Sequence, residues 1–259
     1  MFPYIHLGPL TMGTYGICMV LGFAIAIYFA NRRGKRYGLI FEDLIICAAF
    51  ILGFAVIFGN LVYIIVTYSM EDIRNFIRQG NFKFIGAGIV FYGGLIGGIL
   101  GCWVALKVAK IKFYTIEQSA VPFISVGHAI GRVGCVMAGC CHGMEYDGPL
   151  ALYYPNSVAG VSPDQGYFPV QLLEALINVV VICPLLLIIG KRAKKPTILL
   201  SAYLILYAIT RFITELFRGD AIRGGFLWLS TSQWISVILI LAAGTNLLVR
   251  YWKARPKAE

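Results

Sequence analysis

Apolar residues run along this chain in seven long blocks, separated by short polar or glycine-rich breaks. The blocks cover roughly 14–31, 41–67, 86–109, 116–138, 168–190, 196–217 and 230–250. Each approaches or exceeds the ~20 residues an α-helix needs to cross about 30 Å of hydrocarbon. The pattern predicts an all-α polytopic membrane protein of seven transmembrane helices. Composition points the same way: 13% of the 259 residues are charged, against about 25% in a soluble domain. No domain-scale linker or repeat interrupts the blocks, so residues 1–259 read as a single seven-helix membrane domain.

The distribution of charge orients that domain. Net charge is +10, and the basic residues gather after the first, third, fifth and seventh blocks: Arg32–Arg36, Lys107/Lys110/Lys112, Lys191–Lys195 and Arg250–Lys257. This alternation predicts the N-terminus outside and the C-terminus inside. Each cluster abuts a span, where anionic lipid headgroups are sufficient partners, so nucleic acid is excluded as a partner. Residues 1–13 lack a basic start and are read as an outer tail containing His6, with no cleavable leader. Segment 70–80 reads either as a short interfacial helix or as a surface turn. The loop 139–167, rich in Gly, Pro, Asp and Tyr, is long for a connector. It predicts a small irregular extracytoplasmic head with short strands such as Leu150–Tyr154.

The costly polar residues inside apolar sequence fall mostly at the outer ends of the spans. They include Tyr15, the Tyr92-Gly93-Gly94 element, and the stretch GRVGCVMAGCCHG at 131–143. Gln171 and Glu174 open the fifth span, and Tyr207, Arg211, Glu215 and Arg218 close the sixth. A charge in hydrocarbon costs roughly 2.5–17 kcal/mol, so Arg132 needs a strong reason to be there. Tyr207, Arg211 and Glu215 share one helix face by i, i+4, i+8 spacing. Arg211 and Glu215 could simply neutralise each other, but that leaves Arg132 and Arg218. Three arginines with one nearby glutamate predict net positive charge and a bidentate phosphate site, with an anionic phospholipid as the natural occupant. Gly97, Gly98 and Gly101 are read as helix-packing residues, and Gly93 and Gly94 as making room for ligand. His128 reads as a satisfied packing residue.

Cys18, Cys47, Cys102 and Cys183 sit inside spans as small apolar residues. Cys135, Cys140 and Cys141 are grouped and admit three readings. With His142 they form a ligand set zinc could accept, although C-x4-C-C-H is not a standard zinc spacing. A Cys135–Cys140 disulfide is a second reading. Small polarizable residues packing a lipid site is the favoured one, and no metal or cofactor is expected.

Together these residues resemble the prolipoprotein diacylglyceryl transferases. The resemblance runs through Thr14-Tyr15-Gly16, Tyr92-Gly93-Gly94-Leu95, Gly131-Arg132-Val133-Gly134, Pro169-x-Gln171-x-x-Glu174, Tyr207-x-x-x-Arg211-x-x-x-Glu215-x-x-Arg218 and Gln233-x-x-Ser236. It implies transfer of the diacylglyceryl group of phosphatidylglycerol to the lipobox cysteine of a prolipoprotein signal peptide. The location it implies is a bacterial cytoplasmic (inner) membrane, crossed several times, with the active site toward the extracytoplasmic side. By the same resemblance, Arg132 and Arg211 bind phosphate, Tyr15 and Tyr207 line the site, Glu215 is its acidic residue and Gly143 closes the signature. Tyr92, Glu215 and His142 are candidates for the weak base that deprotonates the thiol. Two departures stand out: Tyr92 replaces the family's usual histidine, and Cys135, Ala138 and Cys140 stand where it usually has asparagine, asparagine and glutamate. Those departures keep open a relative with the same donor and a hydroxyl acceptor, or a non-enzymatic lipid-binding membrane protein.

Overall fold

The computed structural model describes residues 2–8, 10–80, 82, 85–86, 88–219 and 225–253. In chain order the helices are α1 (Thr14–Gly34), α2 (Phe41–Thr67), α3 (Met70–Arg78) and α4 (Phe91–Val108). They continue with α5 (Phe113–Ala138), α6 (Val170–Arg192), α7 (Ile198–Glu215) and α8 (Thr231–Trp252). Seven of these, all but α3, are long and apolar enough to cross a membrane among the described residues. Among the described residues, strands are confined to two small antiparallel hairpins, β1 (Tyr4–Leu7) with β2 (Leu10–Gly13) and β3 (Gly225–Phe226) with β4 (Leu229–Ser230). The chain divides into two compact units, residues 38–115 and the remainder.

In the 38–115 unit, α2 and α4 pack antiparallel through a register that the glycines explain. Gly93, Gly97 and Gly101 lie four residues apart on one face of α4. They face the carbonyls of Phe58, Phe54 and Phe50, also four apart on α2. A Cβ on Gly93 would come within 2.6 Å of the Phe58 oxygen, and on Gly97 or Gly101 it would overlap the Phe54 or Phe50 oxygen outright. Three small residues thus let two backbones meet, the usual device where lipid gives no hydrophobic drive between helices. Gly93 serves this contact, rather than the ligand space expected from its position beside Tyr92. Gly94 and Gly98 face more open space.

The third span starts five residues later than its apolar run suggests. Residues 88–90 are non-helical, because α2 supplies alternative partners: Val90 N donates to Gly59 O at 3.0 Å and Asn60 Nδ2 to Gly88 O at 3.0 Å. Segment 70–80 contains the helix α3. Ser69 caps it, with Asp72 N donating to Ser69 Oγ and Ser69 N to Asp72 Oδ2. The Ser69 hydroxyl and backbone amide hold the Asp72 carboxyl below the usual range.

In the larger unit the N-terminal segment is a hairpin rather than a tail. Tyr4 pairs with Gly13, and His6 Nδ1 lies 2.9 Å from Thr11 Oγ1. Thr14 ties the hairpin to α1 by donating to Pro3 O through both N and Oγ1. The core between α5, α6 and α7 is built on Val121, Ile182, Leu186 and Leu199. Helix α6 is continuous but changes pitch: Asn178–Ile182 forms a π turn, and Asn178 Nδ2 donates to Glu174 O at 2.8 Å.

Buried polar residues also gather at the end of this unit remote from the 139–167 loop, where the sequence pattern had suggested little. Glu117, 1% exposed, caps α7 by accepting from Thr197 N and Leu200 N at 2.8 Å each. Arg33 Nε donates to Gln118 O at 2.6 Å, and Gln118 Nε2 to Ala193 O at 3.1 Å. Glu117 and Gln118 thus satisfy helix ends, and Arg33 serves the Gln118 carbonyl that Pro122, four residues on and lacking an N–H, leaves free.

Candidate active site

The site is organised by the way α5 ends. Gly139 adopts φ +70°, Cys140 N donates to Cys135 O, and Gly139 N donates to Val136 O. This is the paired hydrogen-bond pattern of a Schellman cap, which a glycine at that position permits. Cys141 is left-handed too, at φ +57°. The tight reversal folds residues 140–141 back on the last turn, and the sulfurs of Cys135, Cys140 and Cys141 lie within 4.8 Å of one another. All three cysteines are thiols rather than disulfides. Hydrogen bonds from the Cys135 and Cys140 thiols, and then the Arg218 guanidinium, hold the Cys141 thiol far below the ordinary range. His142 stands apart from the sulfurs: its Nδ1 is 2.9 Å from Gly143 O, and its ring sits edge-on to Tyr167.

One turn earlier on α5, Arg132 is held by two partners. Its Nη2 donates to Glu174 Oε1 at 3.0 Å, and its Nε lies 2.9 Å from Glu174 Oε2. The Nε hydrogen points to His128 Nε2 at 3.2 Å, which leaves Oε2 without a hydrogen bond. Arg211 forms an ion pair with Glu215 and donates through Nη2 to Ser232 Oγ at 3.1 Å. Glu215 Oε1 also accepts from Ser230 Oγ at 3.0 Å, so the capping box that starts α8 is coupled to the α7 pair. Arg218 Nε is 4.0 Å from Glu215 Oε2. Arg211 lies within electrostatic reach of Arg132, Arg218, Glu174 and Glu215, and Arg132 within reach of Glu174 and Arg218.

This corrects the charge expected from the sequence. Two buried carboxylates, not one, oppose the three guanidinium groups, and the Cys141 sulfur adds anionic character beside Arg218. What the cluster retains is unmet hydrogen-bonding capacity. Among the described residues, Arg211 Nη1 is buried with no hydrogen-bond partner, and Glu174 Oε2 and Glu215 Oε2 make ion pairs but accept no hydrogen bond. An unpaired guanidinium donor in an apolar site is costly unless an acceptor arrives.

Tyr15, on the first turn of α1, lies within electrostatic reach of Arg132 and the three cysteines. The Tyr207 ring centroid is 5.7 Å from that of His128. Gly131 and Gly134 let α1 approach α5: a Cβ on Gly134 would stand 2.8 Å from Cys18 Cβ, and one on Gly131 3.2 Å from Met19 Sδ. Gly143 bridges to Arg218, and a Cβ there would overlap the Phe168 carbonyl. Tyr92 begins α4 in the other unit, half-exposed, with its ring edge-on to Phe91. The 139–167 loop is pinned to this end of the bundle through Met144 N to Phe217 O and Val158 N to Ala138 O. Within it Leu152 and Tyr167 exchange 2.9 Å hydrogen bonds, while Leu150 is exposed in a left-handed turn, so the strand expected at Leu150–Tyr154 reduces to a bridge. Tyr154 is fully buried, and burial pushes its hydroxyl up to about 12. Gln171 Nε2 donates to both Tyr154 Oη and Cys140 O at 3.0 Å.

Glu174 is the residue that sequence reasoning undervalued. It was noted as part of a motif, but its role as the partner of Arg132, 42 positions away, was not. A carboxylate within an apolar block was the available signal.

Fold and site together define a class: a polytopic helical membrane protein with buried guanidinium–carboxylate pairs at one end of its larger helical unit. Comparison with known proteins is consistent with this. Residues 3–249 match the family described as prolipoprotein diacylglyceryl transferase. A phosphatidylglycerol–prolipoprotein diacylglyceryl transferase of Clostridium tetani is 33% identical over 230 residues, covering 88% of each chain. One from Halalkalibacterium halodurans is 31% identical over 269 residues, covering 98% of this chain and 86% of that one. A relative from Clostridium perfringens, named as transferase 2, is 30% identical over 95% of this chain and 93% of its own. The chain belongs to the prolipoprotein diacylglyceryl transferase family.

Proposed function

We propose that this protein transfers the diacylglyceryl group of phosphatidylglycerol to the thiol of a lipobox cysteine in a prolipoprotein signal peptide, releasing glycerol phosphate. The observation that carries the chemistry is the buried Arg211 Nη1, which has no hydrogen-bond partner among the described residues and lies close to the Arg132–Glu174 pair. A phosphate oxygen satisfies that donor, and a lipid reaches it sideways from the membrane.

In the reaction the thiolate sulfur attacks the glycerol carbon that bears the phosphate ester. The carbon–oxygen bond breaks, its electron pair leaves with the phosphate, and the thiol proton ends on the departing glycerol phosphate. Charge builds on the leaving phosphate, so fixed donors aimed at it lower the barrier; removing one such donor typically costs about 10²–10³-fold. Arg132 and Arg211 take that role. Glu174 and Glu215 hold the two guanidinium groups in place, and Tyr15, Tyr207 and Arg218 line the site. Cys135, Cys140, Gly131, Gly134 and Gly143 shape its floor. The 139–167 loop forms an extracytoplasmic head over a site that opens to the outer side of a bacterial cytoplasmic membrane.

The test is direct. Protein in phosphatidylglycerol vesicles is incubated with a lipobox peptide, and a thioether-lipidated peptide with equimolar glycerol phosphate is expected. Arg132→Ala and Arg211→Ala are each expected to reduce the rate by about 10²-fold or more. Folded wild-type protein that gives no product, or full activity in either variant, would overturn the proposal.

A further inference from the structure

We infer that Cys135, Cys140 and Cys141 form a three-thiolate site for one divalent d10 cation such as Zn²⁺, whose fourth coordination position receives the substrate thiol. The inference rests on the thiol acceptor proposed above, and its experiment separates the two.

The donor set is complete without His142 and already gathered. Zinc–sulfur bonds of about 2.3 Å place tetrahedral ligand sulfurs about 3.8 Å apart. The three sulfurs lie within 4.8 Å of one another, so coordination requires each pair to close by no more than about 1 Å. Side-chain rotation suffices for that, because the backbone is already reversed by the cap at Gly139 and the left-handed Cys141. Sequence spacing hides this arrangement. C-x4-C-C looks irregular along the chain, but the helix cap brings Cys140 and Cys141 back against Cys135.

Charge and surroundings also fit a metal thiolate. Three thiolates on a dication carry net −1. Arg218 contacts Cys141 electrostatically, and Arg132 lies in reach of Cys135 and Cys141. Around the ligands, Gln171 donates to the Cys140 carbonyl and fixes the loop that carries two of them. Such outer contacts typically set the geometry of a metal site.

The site has an approach. A cavity of about 380 Å³ is lined by Tyr15, Gly16, Ala138, Cys140 and Val158, so the cluster borders open space through Cys140. Three protein ligands with an open fourth position is the arrangement of catalytic rather than structural zinc. A thiol that coordinates there loses its proton to solvent and is held as thiolate. Its sulfur then forms the new carbon–sulfur bond while the carbon–oxygen bond to phosphate breaks. The excess negative charge on a four-sulfur centre keeps the departing thiolate nucleophilic. The proton taken up by the released glycerol phosphate balances the one lost by the thiol.

The experiment uses full-length protein purified in detergent with its thiols reduced. One equivalent of zinc per chain is expected by elemental analysis. Cobalt substitution is expected to give thiolate-to-metal charge-transfer absorption and tetrahedral ligand-field bands. The triple variant Cys135→Ser/Cys140→Ser/Cys141→Ser should lose both, and Cys47→Ser/Cys102→Ser/Cys183→Ser should keep them. X-ray absorption on the wild type, which needs no variant to fold, should show three sulfurs near about 2.3 Å from zinc. A lipobox peptide added to the cobalt form without lipid should raise the charge-transfer intensity by about one-third as a fourth sulfur binds, and a serine-substituted peptide should not. Failure of the wild type to bind either metal, or lipid transfer at an unchanged rate after chelation, would overturn the metal site while leaving the transferase reading intact. A metal that binds but ignores the peptide thiol overturns the fourth-position assignment. A metal site that accepts the thiol in a protein giving no lipidated product instead counts against the transferase reading.

Discussion

Replacing Glu174 by glutamine tests whether the Arg132 pair holds the site together. The Glu174 side chain is 1% exposed and that of Arg132 14%, so neither charge is appreciably hydrated. Glutamine keeps the shape and still offers one oxygen to Nη2, but it removes the carboxylate charge and turns an amide toward the Nε edge. Breaking a buried pair by removing one partner costs about 3–5 kcal/mol, because the other charge stays behind uncompensated. Replacing both partners by neutral groups is often close to neutral. Glu174→Gln is therefore expected to lose about 3–5 kcal/mol in SDS-titration unfolding from mixed micelles, and Arg132→Gln/Glu174→Gln to regain much of it. The resulting coupling should be at least about 2–3 kcal/mol, at or above the upper range for residues in contact. Under the proposed function, lipid transfer should stay about 10²-fold or more below wild type in the double variant, since one of the two guanidinium groups proposed to bind phosphate is gone. If the two single changes add within about 0.5 kcal/mol, or if Glu174→Gln retains full stability, the pair does not organise the site.

Other outcomes follow from separate parts of the molecule. Gly97→Ala puts a methyl against the Phe54 carbonyl and is expected to destabilise by about 1–3 kcal/mol. Gly98→Ala meets nothing closer than Ile51 Cγ2 at 3.7 Å and should be neutral or mildly stabilising in the same unfolding assay. Glu117→Gln keeps an acceptor for only one of the Thr197 and Leu200 amides and sets an NH2 donor against the other, and should cost about 1–3 kcal/mol without changing the KM for lipid. In chelated, reduced protein the lowered Cys141 pKa keeps its thiolate populated as pH falls. Alkylation of Cys141, followed by mass spectrometry, should slow less between pH 8 and 6 than that of an ordinary thiol. An ordinary thiol with pKa near 8.5 would slow about 75-fold over that range, and a parallel decline would refute the assignment.

The seven spans were legible because the length of an apolar run is a direct measure of what can cross hydrocarbon. The error at the start of α4 shows the limit of that measure. Residues 88–90 are apolar enough to be helical, but Gly59 and Asn60 offer their backbone other partners, which no local pattern reveals. The gathering of Arg132, Arg211, Glu215 and Arg218 was legible from span polarity and helical spacing. The Arg132–Glu174 pairing was not, because it depends on how α5 and α6 rotate against each other. Gly93 shows the converse: adjacency to Tyr92 suggested ligand space, and packing against Phe58 took precedence. Glu117 and Gln118 lay in plain view in the sequence, but helix capping at the remote end requires knowing where α7 begins.

The π turn at Asn178–Ile182 has a consequence for how this span tolerates change in length. A single extra residue in a helix offsets everything on one side of it by about 100° relative to a regular α-helix. Deleting one residue from that turn would relax it to ordinary helix and swing Glu174 about a quarter of the way around the axis. The span would remain long enough for the membrane, and its hydropathy profile would barely change. Its carboxylate would nevertheless face a different neighbour, so the azimuth of Glu174 depends on a one-residue surplus located a full turn away.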